Sequence, residues 1–248
     1  MRLGRYQFRP RIVPTLATAV VFPLLLSLGF WQLDRADQRQ AIVDAYETRD
    51  ERPAVDLNSD GVPTDDGAPR NTTAFGRFDG DRQLLLDNQM YRGEVGYHVL
   101  TPFRIEGVDR VVLVDRGWVP AGDSRAELPG VAVDDSSRSV SGFLDQGPPS
   151  GLRLGGMADG ETGWPLRIQY LDYDALEERL GEALMPHVLR LDPDAPDGFV
   201  RDWGPAFREG YGPERNLGYA VQWFGLAAAL AVIFLIVNTR RVGSHDNG

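Results

Sequence analysis

The chain has 248 residues, 36 acidic against 26 basic, and a formal net charge of −10 at pH 7. It contains no cysteine, and all 26 basic residues are arginine. Disulfides, thiolate metal sites, thiol nucleophiles, a Walker lysine, a Schiff-base lysine and a Ser–Lys dyad are therefore excluded.

Four arginines, Arg2, Arg5, Arg9 and Arg11, precede the uncharged run "IVPTLATAVVFPLLLSLGFWQL" from Ile12 to Leu33. A cleaved signal sequence has an apolar core of about 7–15 residues that ends at small residues. This run is longer and exits through Gly29-Phe30-Trp31-Gln32, so it reads as an uncleaved membrane anchor. Pro14 and Pro23 are tolerable within it, because neighbouring groups can satisfy the freed backbone carbonyls. Leu33, Ala36, Ala41, Ile42 and Ala45 continue at helical spacing, which predicts that the helix runs on to about Arg49 and stops near Pro53. The stretch "NSDGVPTDDGAPRN" then reads as an exposed loop.

From about Ala74 the pattern changes to short β-branched segments: "AFGRF", "QLLLDNQ", "YHVLTPFRI", "RVVLVDRGWV" and "VSGFL". Asp79-Gly80 and Glu106-Gly107 mark turns between them. A glycine-rich connection, "SGLRLGGMADGETG", leads to the strand "LRIQYLDY", the short helix "DALEERLGEAL" with Asp174 as N-cap, and a last strand, "PHVLRLD". Six or seven strands with one inserted helix predict a mostly antiparallel α+β sheet, curled into a barrel-like domain.

A second uncharged run spans Leu217 to Val237, with Arg240 and Arg241 after it. Its 21 residues would make a helix of roughly 32 Å, enough to cross a bilayer. Arginines outside both runs put both termini in the cytoplasm. The predicted organisation is a cytoplasmic segment at 1–11, a transmembrane helix at 12–33, a periplasmic domain at 34–216, a second transmembrane helix at 217–237 and a cytoplasmic tail at 238–248. The expected location is a bacterial inner membrane. The domain holds 35 acidic residues against 20 arginines, a balance that argues against nucleic-acid binding.

No motif for a serine hydrolase, zinc protease, dinucleotide site or phosphate loop is present. Of the three histidines, His98 and His187 read as ordinary strand or loop residues, and His245 lies in the tail; no metal site is predicted. Asp115-Arg116 reads as a structural pair at a strand end, with Arg116 bonding carboxylates or carbonyls, Gly117 allowing a bend and Trp118 packing. Trp31 fits an aromatic belt, with Arg35 one turn on. Trp223 lies nearly two turns inside the second run. Gly218, Gln222, Gly225 and Ala229 form a stripe of small and polar side chains whose default role is packing against the first span.

Four segments together resemble one family: "LGFWQLDRADQR" at 28–39, "GYHVLTPF" at 96–103, "VLVDRGWVP" at 112–120 and "NLGYAVQWFGLA" at 216–227. In that order, with a β-rich loop between two spans, they resemble the surfeit locus protein 1 family of accessory factors for haem-copper cytochrome c oxidase. The resemblance implies a non-enzymatic assembly factor that helps the oxidase core subunit acquire or retain haem a. Its partners would be that subunit, other assembly factors and membrane lipid. It implies haem-proximal positions at Asn216, Tyr219 and Trp223, and structural or partner-facing motif positions at Trp31, Arg35, Arg116, Gly117, Trp118 and Gln222. Haem-binding relatives carry a histidine where this chain has Asn216, and an amide is a poor axial ligand. The competing reading is a membrane-tethered periplasmic sensor, binding protein or hydrolase unrelated to oxidase assembly.

Overall fold

The computed structural model describes residues 2–3, 6–61, 68–122, 127–147, 156–158, 163–203 and 212–241. It divides into two units, one formed by residues 1–43 with 207–248 and the other by residues 44–206.

The first unit contains most of helix α1 (Ile12–Glu47), helix α3 (Pro213–Asn238) and a small sheet of β1 (Arg2–Leu3), β2 (Tyr6–Phe8) and β11 (Thr239–Arg241). Both helices are long and apolar enough to cross a membrane. Helix α3 starts at Pro213, whose missing N–H costs nothing in the first turn, with Glu214 beside the positive end of the helix. At its other end the buried Asn238 takes hydrogen bonds from two backbone N–H groups: Arg9 N to its carbonyl at 2.7 Å and Arg11 N to its side-chain oxygen at 2.8 Å. The small sheet thus ties the two termini together, an element the sequence reading did not anticipate.

Protected positions recur every three or four residues on both helices: Thr18, Phe22, Leu25, Gly29 and Gln32 on α1, and Asn216, Ala220, Trp223, Ala227, Leu230 and Phe234 on α3. At Gly29 the helices come together. A Cβ there would lie 2.6 Å from the ring of Phe224, and Phe30 meets the same ring edge-on at 5.3 Å. This corrects the expected seam. Gly218, Gln222, Gly225 and Ala229 are exposed, and nothing lies within 4 Å of a Cβ at Gly218 or Gly225. The expected stripe has the right spacing but is displaced by two residues, about 200° around the helix. Spacing of four and three defines a stripe without saying which one faces inward; the Phe224 ring over Gly29 decides it.

The second unit is built on an eight-stranded sheet of order β3-β4-β8-β10-β7-β6-β5-β9. Its strands are β3 (Val55–Asp56), β4 (Arg70–Phe78), β5 (Leu84–Tyr91), β6 (Glu94–Ile105), β7 (Val111–Pro120), β8 (Arg138–Asp145), β9 (Leu166–Ile168) and β10 (Leu184–Leu191). Strand β4 also pairs with β6, so β4, β8, β10, β7 and β6 form a closed circuit of ladders. The sheet is mixed, because β3–β4, β5–β9 and β7–β10 are parallel. A parallel pair needs a long crossover rather than a hairpin, and short-range turn signals do not reveal one. Phe78 and Phe103 cross edge-on at 5.0 Å within one core cluster, and Leu100, Leu113 and Ile168 belong to a second.

Two local expectations are corrected. Helix α2 runs Tyr173–Leu180, and its N-cap is Asp172, not Asp174. Asp172 is extended and its carboxylate accepts from Ala175 N at 3.2 Å, whereas Asp174 already lies in the first turn. Gly181, at φ +71°, ends the helix before Leu184, which opens β10. The strand expected over 166–173 is only Leu166–Ile168, because the helix claims Tyr173. Most of the glycine-rich connection, and residues 62–67 of the first loop, lie outside the described residues.

Candidate functional site

The residues singled out from the sequence divide between the two units. In the first, Asn216 sits in the opening turn of α3 and donates from Nδ2 to Gln32 Oε1 of α1 at 2.7 Å. In an apolar setting a polar side chain gains by finding a partner on the facing helix. Trp223 is half-buried on the same side. Tyr219 is exposed, with the Arg215 guanidinium 5.9 Å from its ring centre. Trp31 and Gln222 are also exposed. Arg35 bonds Gln38 Oε1 at 2.8 Å, and Gln38 in turn donates to Asp34, so these polar groups engage one another along α1. Sequence reasoning missed Gln32, although its motif was quoted. An uncharged polar residue one position after Trp31 gives no sign of a partner 184 residues away.

Haem a can be tested against these groups by their chemistry. The Asn216 amide is committed to Gln32, and α3 offers no imidazole, thiolate or thioether anywhere along its length. Of the groups that α3 does offer, only the Tyr219 phenol is of a kind that ligates haem iron.

In the second unit β7 carries Asp115, Arg116, Gly117 and Trp118. Asp115 and Arg116 do not pair with each other, which corrects the expectation of a structural pair. Successive residues of a strand face opposite ways, and β7 continues to Pro120 rather than ending at this point. Asp115 is fully buried and lies 2.9 Å from Nδ1 of His98, with Gly117 N–H at 3.0 Å and Arg190 at 3.6 Å. Burial pushes its carboxyl up, but His98, Arg190 and the Gly117 N–H outweigh that and hold it below its ordinary 3.8. Arg190 goes on to Asp145 at 2.5 Å, and Asp145 accepts from the Tyr46 hydroxyl at 2.8 Å. Trp203 covers both partners of Asp115, its ring 5.7 Å from His98 and 5.1 Å from Arg190.

Arg116 points into a different cage. Its Nε donates to Asp197 O at 2.7 Å, and one terminal nitrogen donates to Gln83 Oε1 at 2.9 Å and Val131 O at 2.8 Å. Burial pushes its pKa down to about 10. Gly117 has φ +113°, and a Cβ there would meet Val200 O at 2.7 Å. Trp118 donates to Gln89 O at 2.9 Å, and Gly96 lies so close that a Cβ would be 2.5 Å from its indole.

The four quoted segments thus couple in two pairs. Segment 28–39 meets 216–227 through Gly29/Phe224 and Gln32/Asn216. Segment 96–103 meets 112–120 through Gly96/Trp118 and His98/Asp115. No group of three or more His, Cys, Asp or Glu able to hold a metal ion occurs among the described residues.

Comparison with known proteins adds to this geometry. A family model described as the SURF1 family matches residues 19–228. A SURF1-like protein of Rickettsia felis is 27% identical over 236 residues, covering 89% of this chain and 95% of its own. A SURF1-like protein of Dictyostelium discoideum is 24% identical over 264 residues, covering 86% and 92% respectively. The cytochrome oxidase assembly protein SHY1 of Saccharomyces cerevisiae is 29% identical over 104 residues, covering 40% of this chain and 27% of its own.

Proposed function

This chain belongs to the SURF1 family, and from that premise we propose that it is a non-enzymatic membrane assembly factor for haem-copper cytochrome c oxidase. It acts on the oxidase core subunit at the stage where haem a is inserted or retained, alongside other assembly factors. The observation that carries this is the family match over residues 19–228, which takes in the whole domain and parts of both apolar helices. The coupling of the quoted segments two by two supports it. In this reading the helices cross a bacterial inner membrane, both termini are cytoplasmic and the domain is periplasmic. The barrel-like closure of the domain belongs to the same reading, supported by the β4–β6 ladder. In this reading Asn216, Tyr219 and Trp223 hold no iron of their own.

The test is deletion of the gene followed by reduced-minus-oxidised spectra of the membranes. The expected result is loss of the haem a band at unchanged b- and c-type bands, restored by the intact gene. An unchanged spectrum with normal oxidase activity rejects the assembly role. The finer point about iron is read separately, after co-production with haem a synthesis. The parent should purify with well under one haem per chain. Asn216→His should raise that ratio, because an imidazole supplies the missing nitrogen.

A further inference from the structure

Tyr46 and Trp203 bracket the domain. Tyr46 lies in the last turn of α1, which ends at Glu47, and Trp203 stands where the chain leaves the domain on its way to α3 at Pro213. Both rest on one row of side chains that crosses four neighbouring strands: Asp145 on β8, Arg190 on β10, Asp115 on β7 and His98 on β6. The links of this row share atoms. Oδ2 of Asp145 accepts from the Tyr46 hydroxyl at 2.8 Å and from Arg190 Nε at 2.5 Å. Oδ2 of Asp115 lies 2.9 Å from His98 Nδ1 and 3.6 Å from Arg190 Nη1. Both carboxylates are buried, so water does not readily replace a lost partner. At one end the Tyr46 ring meets Phe143 of β8 edge-on at 6.0 Å. At the other the Trp203 ring lies against His98 and Arg190, and its Nε1 donates at 2.6 Å to the carbonyl of Leu191, the residue after Arg190. Trp203 thereby holds a strap that runs along β7, with Phe199 N on Arg116 O at 2.7 Å and Val200 N on Trp118 O at 3.1 Å.

We propose that this row is a joint that couples the two links between the domain and the apolar helices, so that they tighten and loosen together. The coupling is independent of what the helices cross and of any partner they meet. Arg190 is its centre. The guanidinium is a rigid plane, so Nε and Nη1 cannot move separately. A shift of Asp145 therefore re-aims Arg190 at Asp115 and moves the cation against the Trp203 ring. In a buried, low-dielectric setting, charges and hydrogen bonds connected in this way respond as a group rather than pair by pair. A displacement of α1 at Tyr46 is then felt in the strap through Arg190.

The experiment is hydrogen exchange on the full chain in neutral detergent, read at backbone amides whose bonds belong to each link. These are Thr48, Glu51 and Arg52 beside α1, and Phe199 and Val200 in the strap. Tyr46→Phe removes one hydroxyl and keeps a ring against Phe143. It should speed exchange at Phe199 and Val200 by about ten-fold, the scale of one lost hydrogen bond to a charged group. Trp203→Phe should act in the opposite direction and speed Thr48, Glu51 and Arg52. Leu84, Leu85 and Leu86 of β5 should keep the parent rate in both. In an Arg190→Met background, adding Tyr46→Phe should change nothing further in the strap, because the centre of the row is gone. Unchanged strap exchange in Tyr46→Phe overturns the proposal. So does a uniform acceleration that includes β5, which would assign the row to general stability. Strap acceleration that survives in the Arg190→Met background also overturns it, by placing the coupling on another route. Both single substitutions keep an aromatic ring in place, so they decide even if Arg190→Met fails to fold.

Discussion

At the scale of single residues, β7 concentrates the positions that tolerate least change. Gly117 has a positive φ and no room for a Cβ beside Val200 O, so Gly117→Val should cost at least about 2 kcal/mol. The check is a denaturant melt of the full chain in detergent, and a parent-like midpoint would mean that the backbone relaxes. Asp115 tests the buried charges. Its folded pKa is lowered below 3.8, so its contribution is present above that value and is lost as pH falls through the folded pKa. Asp115→Asn should lower stability at pH 7 by roughly 3 kcal/mol, because Arg190 and His98 lose their common partner. It should also lose less further stability than the parent on acidification below about pH 4. Parallel acid limbs in parent and variant would contradict this. The sequence allowed part of this to be foreseen. The residue types lead one to expect Arg116 to bond carboxylates or carbonyls, and it takes the carbonyls of Asp197 and Val131 with the side-chain oxygen of Gln83. His98 gives no such signal, because neither its carboxylate partner Asp115 nor the Trp203 cover is close to it in sequence.

The elements were legible where hydrophobic period and punctuation agreed. Helix α1 ends at Glu47, close to the expected Arg49, because the charged stretch after Leu33 kept a helical period up to Pro53. The facing of α3 was not legible. Two stripes of identical spacing compete on one helix, and the winner depends on the fit of Phe224 over Gly29, a contact between residues 195 apart in sequence. That fit gives a sharp prediction. Gly29→Val should push the helices apart, since its Cβ would sit 2.6 Å from the ring, and should destabilise the helix pair by about 1–3 kcal/mol. Adding Phe224→Ala should recover much of that loss by removing the obstacle. The readout is a disulfide between cysteines placed at Gln32 and Asn216, practicable because the chain has no native cysteine. Crosslinking should fall in Gly29→Val and return in the double variant. Equal crosslinking in all three would mean that Gly29 does not set the approach.

On the scale of the whole molecule, the two units pose the question of which one carries the function. Among the described residues the domain has three core clusters of its own, whereas the first unit exposes Trp31, Tyr219, Gln222, Gly218 and Gly225 along its helices. A pure anchor needs only apolar length, and we propose that this pattern on exposed helix surface is where another protein packs. We predict that replacing residues 12–33 and 217–237 with leucine-rich spans, all arginines kept, leaves the domain folded but restores less than a tenth of oxidase activity in a deletion strain. Folding is checked by protease resistance of the domain, and orientation by reporter fusions after Gly122 and at the C-terminus, which should report opposite sides in parent and chimera alike. A Gly122 reporter on the cytoplasmic side would overturn the topology before activity is considered. With orientation and folding intact, full activity in the chimera would assign the function to the domain alone. In that case the close Gly29/Phe224 approach and the Gln32–Asn216 bond would serve only to hold one helix against the other.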